Sequence, residues 1–257
     1  MSTPSTTGVA VVTGASRGIG AAIAQRLARE GLAVACVATS AENAQPTANL
    51  LRAEHGAAAI AVGMRVDDDA SIAAGLSRVE DELGPITALV NNAGIAGVAS
   101  FLDMEIADFD KIIAVNLRGV FAVGQAVARR MVASHTNGGI VNIGSIAGIN
   151  GFPKRGAYGP SKAAVHHLTK IMSLDLAEHR IRVNCVAPGY VRTDLIDELI
   201  AKGSVDEALV RRRIPLGELA DVVDVANAVW WLLSSESRYV TGETILVDGG
   251  WHAYGHV

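Results

Sequence analysis

Tyr158 and Lys162 stand four residues apart in Tyr158-Gly159-Pro160-Ser161-Lys162. On a helix that spacing puts a phenol and an ammonium on one face. Pro160 fits only the first turn of a helix, so Tyr158 stands at or just before its start. A nearby ammonium and a helix N-terminus both favour the phenolate. A phenol held this way can pass a proton to or from a substrate oxygen near neutral pH. An exposed tyrosine beside an exposed lysine would show the same spacing, so the pair takes its meaning from its neighbours.

Thirteen residues earlier, Ser145 follows the apolar run Gly139-Ile140-Val141-Asn142-Ile143. A hydroxyl at the carboxyl end of a strand stands where α/β sheets place their ligands, and it can hydrogen-bond a carbonyl as charge develops there. Asn91-Asn92-Ala93-Gly94 closes another apolar run, Ala88-Leu89-Val90, at the same expected edge. Asn116 interrupts the apolar helical stretch Ile112-Ile113-Ala114-Val115-Asn116-Leu117. A buried amide there needs partners, and a proton-relay water is one candidate; a core amide at a helix kink is the other. Near the start, Val9-Ala10-Val11-Val12 runs into Thr13-Gly14-Ala15-Ser16-Arg17-Gly18-Ile19-Gly20 and then an Ala-rich stretch. Glycines let that turn approach a pyrophosphate closely, and the following helix start offers free N–H groups to the anion. Three glycines at this spacing are weak evidence alone. Their place at the first strand-to-helix junction points to dinucleotide binding.

These groups need a scaffold that gathers strand ends. Short β-branched runs are expected as strands at 9–13, 33–38, 58–64, 87–90, 139–143, 181–186 and 244–247. Helical patterns lie between them at 18–30, 41–55, 68–83, 107–134, 157–178 and 221–234. The alternation implies right-handed βαβ crossovers and a doubly wound parallel sheet between two helix layers, an α/β/α sandwich. One domain is expected over residues 9–257, after a disordered start at 1–8. The long polar segment 189–220 breaks the alternation and reads as a mobile lid.

Composition agrees with one large core. Half of the 257 residues are hydrophobic, only 19% are charged and 4% are aromatic, so Ala, Val, Ile and Leu must fill it. The net charge of −4 and the lack of a long basic run make nucleic acid an unexpected partner. No apolar stretch reads as long enough to span a bilayer, and no signal peptide is visible. Cys36 and Cys185 lie inside apolar runs and read as small buried residues in a reduced, cytoplasmic setting, with no metal role.

Taken together, these motifs resemble the classical short-chain dehydrogenase/reductase family over nearly the whole chain. The resemblance rests on Thr13 to Gly20, Asn91 to Gly94, Asn116, Ser145, Tyr158 with Lys162, and Pro188-Gly189 followed by Val191 and Thr193. It implies a seven-stranded Rossmann sheet, usually in a homotetramer, acting on a small-molecule ketone or secondary alcohol with an NAD(P) cofactor. It implies Tyr158 as acid/base, Lys162 as the group that tunes it and holds the nicotinamide ribose, Ser145 as the carbonyl's anchor, and Asn116 as support for a relay water. The cofactor contacts it implies come from Gly14, Ser16, Arg17, Gly18, Ile19, Gly20, Thr39, Arg65, Val66, Asn92, Ala93, Gly94, Tyr158, Lys162, Pro188, Gly189, Val191 and Thr193. Two positions depart from the pattern. Arg65 occupies the place of an Asp or Asn that would accept from adenine, so Asp67 or stacking on the guanidinium must serve instead. Gly159 and Pro160 replace more usual residues in the tyrosine motif.

The second strand ends Val37-Ala38-Thr39-Ser40, with Ala38 where NAD enzymes of this type carry an acid. With Arg17 in the glycine turn, this predicts NADP(H), with NAD(H) as the alternative. Ile95 to Val98, Ile146 to Phe152 and the lid from Tyr190 are the expected pocket lining, mostly apolar. A general ketone/alcohol reductase, sugars and polyols included, is the first expectation. A 3-oxoacyl-carrier-protein reductase is the alternative, disfavoured because Ser134-His135-Thr136-Asn137 offers no Lys or Arg to an acidic carrier. A catalytically silent dinucleotide sensor, or an epimerase or dehydratase on a related fold, is a more distant reading. Arg211-Arg212-Arg213 reads as a solvated helix face, and His166-His167 as packing or interface residues.

Overall fold

Seven strands alternate with helices along the chain. They are β1 (Val9–Thr13), β2 (Ala33–Ala38), β3 (Ala59–Gly63), β4 (Ile86–Asn91), β5 (Gly139–Ile143), β6 (Arg182–Pro188) and β7 (Thr244–Val247). This computed structural model describes residues 8–203 and 205–255, so all of the expected disordered start except Gly8 lies outside the described residues. The strands form one all-parallel sheet in the order β3-β2-β1-β4-β5-β6-β7. The order reverses between β1 and β4, which opens a crevice at the carboxyl ends of those two strands.

Because β1 and β2 are buried along their whole length, alternate residues feed two separate cores. Ala10, Val12, Val34, Cys36 and Val90 face one side, where they meet α1 (Gly18–Arg29), α2 (Ala41–His55) and α9 (Val222–Leu233). Val9, Val11, Ala35, Val37 and Leu89 face the other, where α3 (Asp69–Leu83) and α5 (Gly119–Ala133) cover them. The last turns of α6 (Tyr158–Leu176) close the same side through Met172 and Leu176. Both cysteines are buried, and burial pushes their thiols up to about 12 for Cys36 and about 11 for Cys185, so both stay protonated and inert.

Three expectations need correction. The helix expected at 107–134 is α4 (Ile106–Ile113) and α5, joined through a π-helical turn at Ala114–Arg118. This continuous run, Ile106–Ala133, is long and apolar enough to cross a bilayer by length and composition, contrary to the sequence reading. Its inward residues Val120, Val123, Val127 and Met131 are instead spent on the core under the sheet. Further along, β6 runs on to Pro188 because that residue pairs with Val247 of β7. The segment after β6 carries two short helices, α7 (Asp194–Ala201) and α8 (Glu207–Arg213).

Candidate active site

The glycine turn between β1 and α1 is locked by close packing. Gly14 and Gly18 hold positive φ, +67° and +57°, which side chains rarely adopt. A Cβ on Gly20 would stand 2.2 Å from the Gly14 carbonyl and 2.5 Å from Asn92 Nδ2. The turn is tied to β2 by Ala15 N donating to Val37 O (2.9 Å), and Thr47 Oγ1 donates to Ser16 O (3.4 Å). Asn92 Nδ2 donates to the carbonyls of Thr13 (2.9 Å) and Gly14 (3.1 Å). Thr13 Oγ1 in turn accepts from the backbone N–H groups of Asn92 and Ala93, both at 3.0 Å. The Asn91–Gly94 motif is therefore a brace for the glycine turn as well as a strand end.

This crevice suits a dinucleotide. α1 begins at Arg17 with no side chain capping it, whereas α2, α3, α7, α8 and α9 each have one. Its first N–H groups are thus open to an anion, with a glycine surface beside them. Thr193, at the N-terminus of α7, lies across the turn, its Cγ2 3.6 Å from where a Gly18 Cβ would be. Thr193 also caps α7, accepting from Ile196 N at 3.4 Å. Ile19 packs partly buried against the core, Pro188 and Gly189 bring the end of β6 beside β7, and Val191 is buried and bridged to Ala220.

Around Tyr158 the site is built by α6, the π-turn and the ends of β4 and β5. Tyr158 is the first residue of α6, as Pro160 requires. Lys162 is buried, its Nζ donates to Ile143 O (2.7 Å), and it lies 5.9 Å from the centre of the Tyr158 ring. No carboxylate stands within ion-pair distance of Lys162 among the described residues. Its charge therefore faces the phenol and the crevice. Asn116 is fully buried in the π-turn. Its Oδ1 accepts from Ile95 N (2.8 Å), and its Nδ2 donates to Ile95 O (2.9 Å) and Ser161 Oγ (3.2 Å). Ser161 Oγ donates onward to Tyr158 O (2.7 Å). A Cβ on Gly94 would fall 3.3 Å from Asn116 Oδ1 and 3.6 Å from Lys162 Nζ, which places these groups around one small space.

Ser145 opens a short 3-10 turn, Ile146–Gly148. Its Oγ accepts from Ala147 N (3.1 Å), which occupies a lone pair and leaves the hydroxyl hydrogen free to donate outward. Its backbone N–H donates to His166 Nε2 (3.3 Å), a contact the sequence reading missed. Burial, with Lys162 and Lys170 nearby, pushes the His166 imidazole down to about 4 and keeps it a neutral acceptor. The sequence reading also missed a buried amide chain beneath the site. Asn91 Nδ2 donates to Asn142 Oδ1 (2.9 Å), and Asn142 Nδ2 donates to Thr169 Oγ1 (2.9 Å), which pins α6 to β4 and β5. An amide inside an otherwise apolar strand was the available signal.

The remaining positions are more peripheral. Thr39 is exposed and accepts from Asn43 Nδ2 (3.3 Å), while Ser40 caps α2. Arg17 is exposed and forms no ion pair among the described residues. Arg65 pairs with Asp67 at 2.9 Å, a contact that holds the Asp67 carboxyl below its usual range. Asp67 is thereby engaged, and the guanidinium is presented at the surface. Val66 packs under Gly119 of α5. Among the lid arginines, Arg211 pairs with Glu207 on the surface, as a solvated face would. Arg213 does not: it lies 5.0 Å from the ring centres of Trp251 and Tyr254 and donates to Trp251 O (3.0 Å). Trp251 stacks on Phe152 and lies tilted against Tyr190, an aromatic wall between the lid base and the loop after β5.

A reversing parallel sheet, a glycine-braced crevice and a Tyr/Lys pair at the strand ends define a dinucleotide-binding α/β enzyme. The family model described as enoyl-(acyl carrier protein) reductase matches residues 14–252. The 2-(S)-hydroxypropyl-CoM dehydrogenase 3 of Xanthobacter autotrophicus is 39% identical over 245 residues, covering 94% of this chain and 95% of that protein. The 3-oxoacyl-[acyl-carrier-protein] reductase of Escherichia coli is 38% identical over 242 residues, with 94% and 96% covered. Among solved structures, a short-chain type dehydrogenase/reductase from Mycobacterium marinum superposes with a TM-score of 0.91 at 37% identity, covering 97% of each chain. An Agrobacterium tumefaciens structure described as a candidate 2-deoxy-d-gluconate 3-dehydrogenase, with bound NADP, gives 0.86 at 34% identity, with 96% of this chain and 97% of that one covered. The chain belongs to the short-chain dehydrogenase/reductase family. It is an NAD(P)-dependent oxidoreductase of ketones and secondary alcohols.

Proposed function

We propose that the chain is an NADP(H)-preferring reductase or dehydrogenase of a small ketone or secondary alcohol, with Tyr158, Lys162, Ser145 and Asn116 as its catalytic group. The observation that carries this reading is the buried, carboxylate-free Lys162 Nζ held by Ile143 O within 5.9 Å of the Tyr158 ring. When bound, the nicotinamide supplies or takes the hydride. Tyr158 gives a proton to the substrate oxygen during reduction and takes it back during oxidation. Ser145 donates its free hydroxyl hydrogen to the same oxygen. Lys162 supplies positive charge to the phenol and reaches the nicotinamide ribose. Asn116 has both amide ends engaged by protein, so it fixes the Ile95 backbone and supports a relay water only through geometry around Lys162.

The NADP(H) preference is supported by the absence of an acid at Ala38, the exposed Thr39 hydroxyl and an exposed Arg17 that forms no ion pair among the described residues. The contacts proposed for the cofactor are those from Gly14 to Gly20, Thr39, Arg65, Val66, Asn92 to Gly94, Tyr158, Lys162, Pro188, Gly189, Val191 and Thr193. The segment 189–220 acts as the lid; its own Val210, Ile214 and Leu219 pack with Tyr190, Ile196 and Trp251, and Arg192 ties α7 to α8 through Asp197 and Glu207. We further propose a cytoplasmic homotetramer with neither nucleic acid nor membrane as partner. Exposed Phe121 on α5 and Ile171 and Leu174 on α6 support helix-on-helix subunit packing.

The alternative substrate, a 3-oxoacyl thioester, is favoured by the similarity to the Escherichia coli reductase. NADPH and NADH oxidation against ketones, ketoses and an acetoacetyl thioester separates the readings. Preference for the thioester by more than tenfold in kcat/KM would replace the first reading with the second.

A further inference from the structure

Arg155 lies three residues before the tyrosine helix begins, and its backbone carbonyl accepts from Gly159 N (2.9 Å). Its position is fixed from the other side by a bridge to Ala99, so the loops after β4 and β5 meet at this residue. The guanidinium stands 5.9 Å from the centre of the Tyr158 ring. Its positive charge also reaches Tyr190 at the base of the lid, where it opposes the upward push of burial on that phenol. Gly97, Tyr158 and Tyr190 all lie beyond the carboxyl ends of the strands, so Arg155 sits on the ligand edge of the sheet.

What the guanidinium lacks is a counter-charge. Of its five N–H positions, one has a partner among the described residues: Nη1 donates to Gly97 O at 3.3 Å, near the long end for such a bond. No carboxylate lies within ion-pair distance among the described residues. Arg155 is only half-exposed. A surface arginine reaches water or an acid, as Arg192 and Arg211 do here. A partly buried planar cation with four unclaimed donors instead matches a planar oxyanion held by two parallel hydrogen bonds.

We propose that Arg155 is the anion-binding residue of the substrate site, and that the substrate is a ketone or secondary alcohol carrying a carboxylate a few bonds from the reacting carbon. This rests on the reading of Tyr158 as the group that meets the substrate oxygen. With that oxygen at Tyr158, a carboxylate two or three bonds away falls toward the Arg155 side of the ring. The cavity at Arg155 is lined also by Phe101, Asn150, Phe152 and Lys154, and the charge on Arg155 selects the substrate.

The test separates charge recognition from catalysis. Binding is measured by calorimetry on NADP-saturated protein with 3-hydroxy-3-methylbutanoate and its amide, tertiary alcohols with no hydride to give. Turnover is measured in parallel on 3-oxobutanoate and 3-oxobutanamide. The wild type should bind the carboxylate at least tenfold more tightly than the amide. Arg155→Gln should reduce that ratio to near one, and Arg155→Lys should restore part of it. Equal binding of acid and amide by the wild type overturns the proposal. So does an equal loss of both ligands in Arg155→Gln, which would make Arg155 a strut to Gly97. Charge-selective binding that depends on Arg155, without turnover of either ketone, upholds the anion site and counts against the catalytic reading alone.

Discussion

His166 Nε2 accepts the backbone N–H of Ser145 at 3.3 Å, so the serine proposed to meet the substrate oxygen is positioned from behind by an imidazole on the tyrosine helix. A glycine at 144 makes room for it: a Cβ there would fall 2.2 Å from Nε2. His166→Leu leaves the Ser145 N–H unpaired at a cost of about 1–3 kcal/mol. The expected result is a fall in kcat of roughly tenfold with KM little changed, and recovery in His166→Gln, whose amide oxygen can accept. Steady-state kinetics on the three proteins checks it.

The same imidazole gives the protein an acid-sensitive element. Its pKa lies at about 4 when folded, against an ordinary 6.5, because burial and the charges of Lys162 and Lys170 oppose protonation. Between those values the unfolded chain binds a proton the folded chain refuses, so acidification favours unfolding. The effect is absent above pH 6.5 and grows as the pH falls to 4. Across that window the Tm of His166→Leu should decline less steeply than that of the wild type.

Asn142 joins Asn91 to Thr169 inside the sheet. Asn142→Leu strips the Asn91 amide of its acceptor while adding no charge. The expected loss is about 1–3 kcal/mol, at roughly 2–4 °C of Tm per kcal/mol for a chain of this size. Thermal unfolding of the variant measures it.

Gly20→Ala puts a methyl 2.2 Å from the Gly14 carbonyl, a backbone atom that cannot step aside cheaply. Dinucleotide affinity should fall at least 30-fold, read by NADPH fluorescence titration. A variant that binds as tightly as the wild type would mean that the turn is not the pyrophosphate seat.

Cofactor choice is read at two positions. Ala38→Asp places a carboxylate at the end of β2, where it would repel a 2′-phosphate and accept from ribose hydroxyls. The kcat/KM ratio for NADPH over NADH should fall more than tenfold. Arg17→Ala should lower NADPH efficiency several-fold while NADH efficiency changes little.

The alternation of β-branched and Ala-rich segments carried the fold because each strand is buried on both faces and each helix must cover one. Strand starts such as Val9 and Ala33 were legible for that reason. The end of β6 was not, because Pro188 extends the strand only through a partner, Val247, 59 residues later. At Asn116 a helix kink was one of the two readings of the amide, but its form as a π-turn was not legible. Local periodicity reads 107–134 as one helix, whereas the turn widens where the Asn116 amide reaches Ile95 and Ser161. In the site, Tyr158, Lys162 and the glycine turn announced themselves by spacing. His166, Arg155 and Arg213 did not, since their roles depend on loops that meet in space and leave no periodic trace.

The most direct test of the account is NADPH consumption at 340 nm by the wild type and Tyr158→Phe, with cofactor binding measured on both. Turnover of a ketone by the wild type is expected, with a loss of at least 1000-fold in the variant and dinucleotide affinity unchanged to within a few-fold. Full activity in Tyr158→Phe would contradict it, because the proton would then come from another group.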